Sequence, residues 1–112
     1  MGKPNSAGQK KRQKYHDKDK YYKLAREQGY RSRAAYKLLQ IDRKYRFLSH
    51  ARSVLDLCAA PGGWSQVAAR ADKVKTVVAV DLLPIRAIRG VDTLVGDITT
   101  EKCRADIRRA FR

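Results

Sequence analysis

Apolar positions are scarce over the first thirty residues and then gather into short runs with two different periods. Residues 1 to about 18 show no hydrophobic period and are rich in Lys, Gly, Gln and Asn, which predicts a disordered tail. Residues 21–28 are helical in composition, and Gly29 is a natural C-terminal stop. Ser32 is placed to cap a longer helix, with Ala35, Leu38, Leu39, Asp42, Tyr45, Phe47 and Leu48 approximating one face. From Ser53 the period changes. Strands are predicted at 53–57, 76–81 and 91–95, a helix over 64–71, and a last helix capped by Thr99 or Thr100 that runs to the end. Continuous β-branched runs alternating with helices indicate an α/β fold around a parallel sheet buried on both faces. The segment 82–90 is short for a crossover helix, so one turn at most is expected there. No internal repeat is visible.

Composition sharpens this picture. The 112 residues carry a net charge of +15, and the charge is uneven. Residues 1–52 hold 16 Lys+Arg against 4 Asp+Glu, whereas residues 53–112 hold 10 against 7. A basic half of this kind points to a polyanion, with nucleic acid first and an anionic membrane second. No membrane span is expected, because the best apolar run, Val77 to Val80, stops at Asp81. The basic start is not followed by an apolar segment, which argues against a secretory signal. Lys10-Lys11-Arg12-Gln13-Lys14 reads equally as a nuclear-import cluster or a solvated tail. Cys58 and Cys103 lack metal-ligand spacing and read as reduced, semi-buried residues of an intracellular protein, so no metal is expected. Cys58 has no histidine near it in sequence to activate it as a nucleophile. His16 and His50 read as surface residues.

The chemistry concentrates in Asp56-Leu57-Cys58-Ala59-Ala60-Pro61-Gly62-Gly63-Trp64, where the first strand gives way to a helix. Small residues let backbone approach a ligand, glycine permits the tight turn, and the helix N-terminus presents free N–H groups. Asp56, Asp81 and Asp97 each stand at or just past the C-terminal end of a predicted parallel strand, where ligands of such sheets bind. Asp81 suits the two hydroxyls of a ribose. Gly96-Asp97-Ile98 offers a carboxylate to an adenine amino group beside an apolar wall. Neither a Gly-x-Gly-x-x-Gly turn nor a Gly-x-x-x-x-Gly-Lys-[Ser/Thr] loop is present, so a phosphate cradle is missing. Carboxylates with little positive charge in the loop suit a cationic, phosphate-free nucleoside such as S-adenosyl-L-methionine.

The run Asp56 to Gln66, D-L-C-A-A-P-G-G-W-S-Q, closely resembles the cofactor loop of the FtsJ (RrmJ-like) RNA ribose 2′-O-methyltransferases. The likeness extends through Gly29-Tyr30-Arg31-Ser32-Arg33-Ala34-Ala35-Tyr36-Lys37-Leu38, Val80-Asp81-Leu82-Leu83-Pro84 and Gly96-Asp97-Ile98-Thr99-Thr100-Glu101-Lys102-Cys103-Arg104, in the family's order and spacing. These blocks look most like the eukaryotic nucleolar branch, which methylates rRNA of large-subunit precursors; the tRNA and mitochondrial branches are next. The resemblance implies a Rossmann-like methyltransferase fold, of which this is the N-terminal half behind a basic helical segment. It implies that Gly62, Gly63, Trp64, Asp81, Asp97 and Ile98 contact S-adenosyl-L-methionine, that Asp56 supports its methionyl end, and that Lys37 is the first lysine of the catalytic Lys-Asp-Lys-Glu tetrad.

The basic half fits an RNA substrate independently, with Arg31 and Arg33 as phosphate contacts and the tyrosines among its cations able to stack on bases, although Tyr36 and Tyr45 are expected in the core. The organisation expected is a tail (1–18), a basic helical RNA-binding segment (19–50) and a partial cofactor domain (51–112). The family's fourth-strand Asp-Gly-Ala-Pro-type motif, second lysine and glutamate have no counterpart here. A truncated piece, inactive alone, is therefore expected. The expected partner is precursor rRNA in the nucleus and nucleolus, with no membrane and no metal; a non-catalytic RNA-binding or ribosome-assembly module is the alternative.

Overall fold

The computed structural model describes residues 29–112. The expected tail and the helix over 21–28 lie outside the described residues. The elements follow in the order α1 (Ala34–Tyr45), β1 (Ser53–Leu57), α2 (Gly63–Arg70), β2 (Thr76–Asp81), β3 (Asp92–Val95) and α3 (Glu101–Ala110). The strands form one parallel sheet in the order β1-β2-β3, with Leu57 opposite Val80 and Asp81 opposite Val95. The segment between β2 and β3 carries no helix, as its length predicted.

The central strand organises the core. Val77, Val78, Ala79 and Val80 are at most 2% exposed, and alternation sends them to opposite faces. Val77 joins Ala35, Leu38 and Leu48 from α1 and its following loop, and Val67 and Ala68 from α2. Val78 and Val80 pack on the other face against Cys103, Leu94, Ile107 and Phe111. Ala79 meets Ala59 and Ile85 under the loops at the strand ends. α1 thus shares one core with α2 and the sheet.

Three local expectations change. The sheet is buried on both faces only at β2; Leu55 and Leu57 of β1 and Val95 of β3 are exposed, because both outer strands lack a neighbour on one side. Ser32 does not cap α1: Arg33 holds the cap position with helical backbone angles and no side-chain cap bond. Tyr45 is not in the core but 67% exposed, while Tyr36 is half-buried with its ring edge-on to Tyr30. At α3 the expectation holds, and Thr100 Oγ accepts the Cys103 N–H at 3.2 Å.

Truncating Leu38 to alanine removes a buried group between α1 and α2 and is expected to cost about 2–4 kcal/mol, read from the urea midpoint. The same truncation at exposed Leu55 should cost well under about 1 kcal/mol. Equal losses at both positions would refute this account of the core.

Candidate functional site

The turn after β1 is built from unusual backbone. Cys58 takes φ +57° and Gly62 φ +116° before α2 begins at Gly63. A side chain at Gly62 is disfavoured by that φ, and its Cβ would also displace the terminal methyl of Ile88. At Gly63 the neighbour is Ser32, whose Oγ would lie 2.5 Å away. The glycines therefore admit protein as well as leaving room for a ligand. Ser32, expected as a helix cap, instead packs the entry to α1 against this loop.

Other contacts bind the same two segments. The Trp64 indole N–H donates to the Ala34 carbonyl at 2.7 Å. Gln66 Oε1 accepts the Arg31 N–H at 2.7 Å, and its amide donates to the Gly29 carbonyl at 2.8 Å. The Arg31 guanidinium donates to the carbonyls of Pro61, Arg86 and Ala87, strapping the glycine loop to the β2–β3 connection. Burial and the nearby Arg86 charge lower its pKa. The guanidinium expected to contact phosphate thus already donates to three carbonyls with its planar fork of donors. Arg33 is exposed.

The three carboxylates reach the strand ends as predicted, but in different states. Asp81 accepts N–H groups from Ala60 at 2.9 Å and Leu83 at 3.0 Å, which lower its pKa and tie the glycine loop to the end of β2. Asp97 accepts both the hydroxyl and the N–H of Thr99, at 2.7 and 2.9 Å, and is also lowered. Asp56 is pushed up by burial; the hydrogen bond from Ser65 Oγ at 2.6 Å opposes this, and the charge of Asp81 adds to it. Two carboxylates whose pKa values are lowered by hydrogen bonds and one raised by burial thus stand on one rim.

Beside Asp56 lies a depression of about 320 Å³, lined by Ser32, Ala34, Asp56, Cys58, Gly63 and Trp64 among others. That volume falls in the range of small-molecule sites. Asp81 and Asp97 are outside its lining, and Ile98 is 39% exposed beside Asp97. Lys37 is exposed on α1, one turn past Ala34, and does not line the depression. Cys58 is exposed on the wall, not semi-buried as expected, while Cys103 is buried. Among the described residues no group of His, Cys, Asp and Glu could hold a metal, and no helix is long and apolar enough to cross a membrane. Sequence reasoning missed Ser65, Ile88 and the strap role of Arg31, since no spacing rule connects positions so far apart in the chain.

A family model described as FtsJ-like methyltransferase matches residues 30–112. A pre-rRNA 2′-O-ribose RNA methyltransferase of Dictyostelium discoideum is 56% identical over 95 residues, which cover 84% of this chain and 11% of that protein. An AdoMet-dependent rRNA methyltransferase of Schizosaccharomyces pombe is 57% identical over 91 residues, covering 80% and 11%. The crystal structure of a ribosomal RNA methyltransferase from Plasmodium falciparum superposes with a TM-score of 0.57 at 37% identity, covering 65% of this chain and 41% of that one. The chain spans about a tenth of the length of these curated relatives.

Asp56 supplies a signed test. Its folded pKa lies above its ordinary value, so the folded state holds the proton more tightly and wild-type stability falls as pH rises through that window. Asp56→Asn removes this term. Its melting temperature relative to wild type should rise as pH climbs from about 3 into the neutral range and then level off. A difference that does not vary with pH would count against a shielded Asp56.

Proposed function

This chain belongs to the FtsJ-like methyltransferase family, and we propose on that footing that it carries the cofactor-binding part of an S-adenosyl-L-methionine-dependent enzyme that methylates ribose 2′-oxygens of rRNA during large-subunit biogenesis. The observation that supports this reading best is the convergence of Asp56, Asp81 and Asp97 on the strand ends around the glycine loop. The donor set fits the cofactor. Carboxylates suit its cationic and hydroxyl-bearing parts, and among the described residues no Lys or Arg side chain lines the depression.

In this reading Asp81 keeps lone pairs, beyond the two N–H groups it accepts, for a ribose diol. Asp97 and Ile98 take the adenine edge and face. Asp56, with Gly62, Gly63 and Trp64, shapes the methionyl end. S-adenosyl-L-methionine supplies the activated methyl group when bound. The chain's own task is then to position and polarise the attacking oxygen. Lys37 orients the ribose 2′-hydroxyl and stabilises the negative charge that develops on it. Arg33 grips phosphate, and Arg31 holds the loop in place. We assign residues 19–50 to the RNA and 51–112 to the cofactor, with residues 1–18 as a tail; precursor rRNA as substrate puts the protein in the nucleus and nucleolus.

Calorimetric titration with S-adenosyl-L-methionine tests the cofactor half. Asp81→Ala and Asp97→Ala should each weaken binding at least about tenfold, whereas Lys37→Ala should leave it unchanged. In the protein as its gene expresses it, Lys37→Ala should lower methyl transfer to precursor rRNA by about 10²-fold or more at unchanged cofactor affinity. No cofactor binding by the folded wild type would sink the reading.

A further inference from the structure

At the pole of the molecule opposite the cofactor rim, the C-terminal end of α1 and the loop after it display Arg43, Lys44, Tyr45, Arg46, Phe47 and Arg52, all exposed. No acidic residue occurs between positions 43 and 52. Tyr45 is 67% and Phe47 43% exposed, and Lys44 Nζ stands 5.3 Å from the centre of the Tyr45 ring. Two open aromatic rings thus stand among four cations within ten positions of the chain.

The loop that carries them is built, not slack. Asp42 takes the Arg46 N–H on its carbonyl at 2.6 Å and the Leu48 N–H on its carboxylate at 2.8 Å. Ser49 Oγ donates to the Arg46 carbonyl at 2.7 Å, and Leu48 plugs into the core at 3% exposure. Between those anchors Arg46 sits at φ +58°, a left-handed conformation that glycine adopts without strain and arginine does not. A strained arginine where a glycine would serve the fold better indicates that the side chain itself is used. Lys75, whose N–H donates to the Arg52 carbonyl at 2.7 Å, brings a further cation to the same pole.

We propose that this surface is a second contact for single-stranded RNA, in which Arg43, Lys44 and Arg46 hold phosphates and Tyr45 and Phe47 stack on bases. The inference rests on the RNA reading above and extends it to a site that none of the cofactor-rim residues shares. Cations match the phosphate backbone, and exposed rings offer stacking without demanding a sequence. The geometry sets a footprint. From Lys37, which in that reading orients the reacting hydroxyl, α1 rises about 12 Å to Tyr45. At roughly 3.4 Å per stacked nucleotide, the second contact meets the strand about three or four nucleotides from the reacting ribose.

The test uses the full chain, fluorescence anisotropy with a labelled unstructured RNA of about 20 nucleotides, a salt series, and S-adenosyl-L-methionine titration as a control. Arg46→Gly should hold or raise the melting temperature while lowering RNA affinity and reducing the slope of log K against log salt by about 0.7. The pair Tyr45→Ala with Phe47→Ala should weaken RNA binding at least about fivefold at unchanged cofactor affinity. RNA binding equal to wild type in both variants would overturn the second contact while leaving the family reading intact. So would a loss of affinity in Arg46→Gly that comes with a lower melting temperature. Tighter retention on phosphatidylglycerol vesicles than on RNA, abolished by the same variants, would make this a membrane face and overturn the proposal. A wild-type chain that binds the cofactor but no RNA would overturn it together with the RNA reading.

Discussion

The entry to α1 packs directly on the glycine loop through Ser32 and Gly63, while Ile88 of the β2–β3 connection closes on Gly62. A Cβ at Gly63 would strike Ser32, and one at Gly62 would strike Ile88. Nearly everything else about the site follows from that contact. It lets Ala34 accept the Trp64 indole N–H, Gln66 hold both Gly29 and Arg31, and the Arg31 guanidinium reach carbonyls on either side of the loop. The basic segment and the nucleoside loop are thereby one packed unit. Motion of either would be felt by the other through hydrogen bonds that are satisfied within the protein, not by solvent.

The same arrangement sorts the three rim carboxylates by environment. Half-buried Asp81 receives N–H donors and exposed Asp97 receives N–H and O–H donors, and both pKa values are lowered. Asp56 is shielded beneath the loop, and its charge is tolerated largely because buried Ser65 donates to it. A rim graded in this way can meet a ligand with polar hydroxyls at one end and charge at the other. Stability and binding pull in opposite directions at Asp56, as is common where a protein keeps a costly group for use.

Much of this was legible along the chain. The shift from helical to strand period near Ser53, the β-branched run at Val77–Val80 and the glycines at 62–63 located every described strand within a residue or so. The aspartates reached the strand ends because parallel pairing brings successive C-terminal ends to one edge. The misreadings share a cause. Ser32 looked like a cap because serine before an apolar run often is one, yet its hydroxyl faces a glycine thirty-one positions away. Tyr45 fitted the helical face by spacing, but α1 ends beside it and the chain turns at Arg46, so the ring meets solvent.

The order of motifs and the alternation of elements by themselves determined the fold class, the family resemblance and the carboxylate triad, because those depend on spacing and residue type. Only the packed structure decided that the Arg31 guanidinium ties the glycine loop to the β2–β3 connection, that burial raises the pKa of Asp56 while hydrogen bonds lower those of Asp81 and Asp97, and that the aromatic residues after α1 face outward. Those outcomes depend on which distant segment occupies the neighbouring volume, and on which donors are already engaged when it does. Neither quantity is encoded at any single position in the chain.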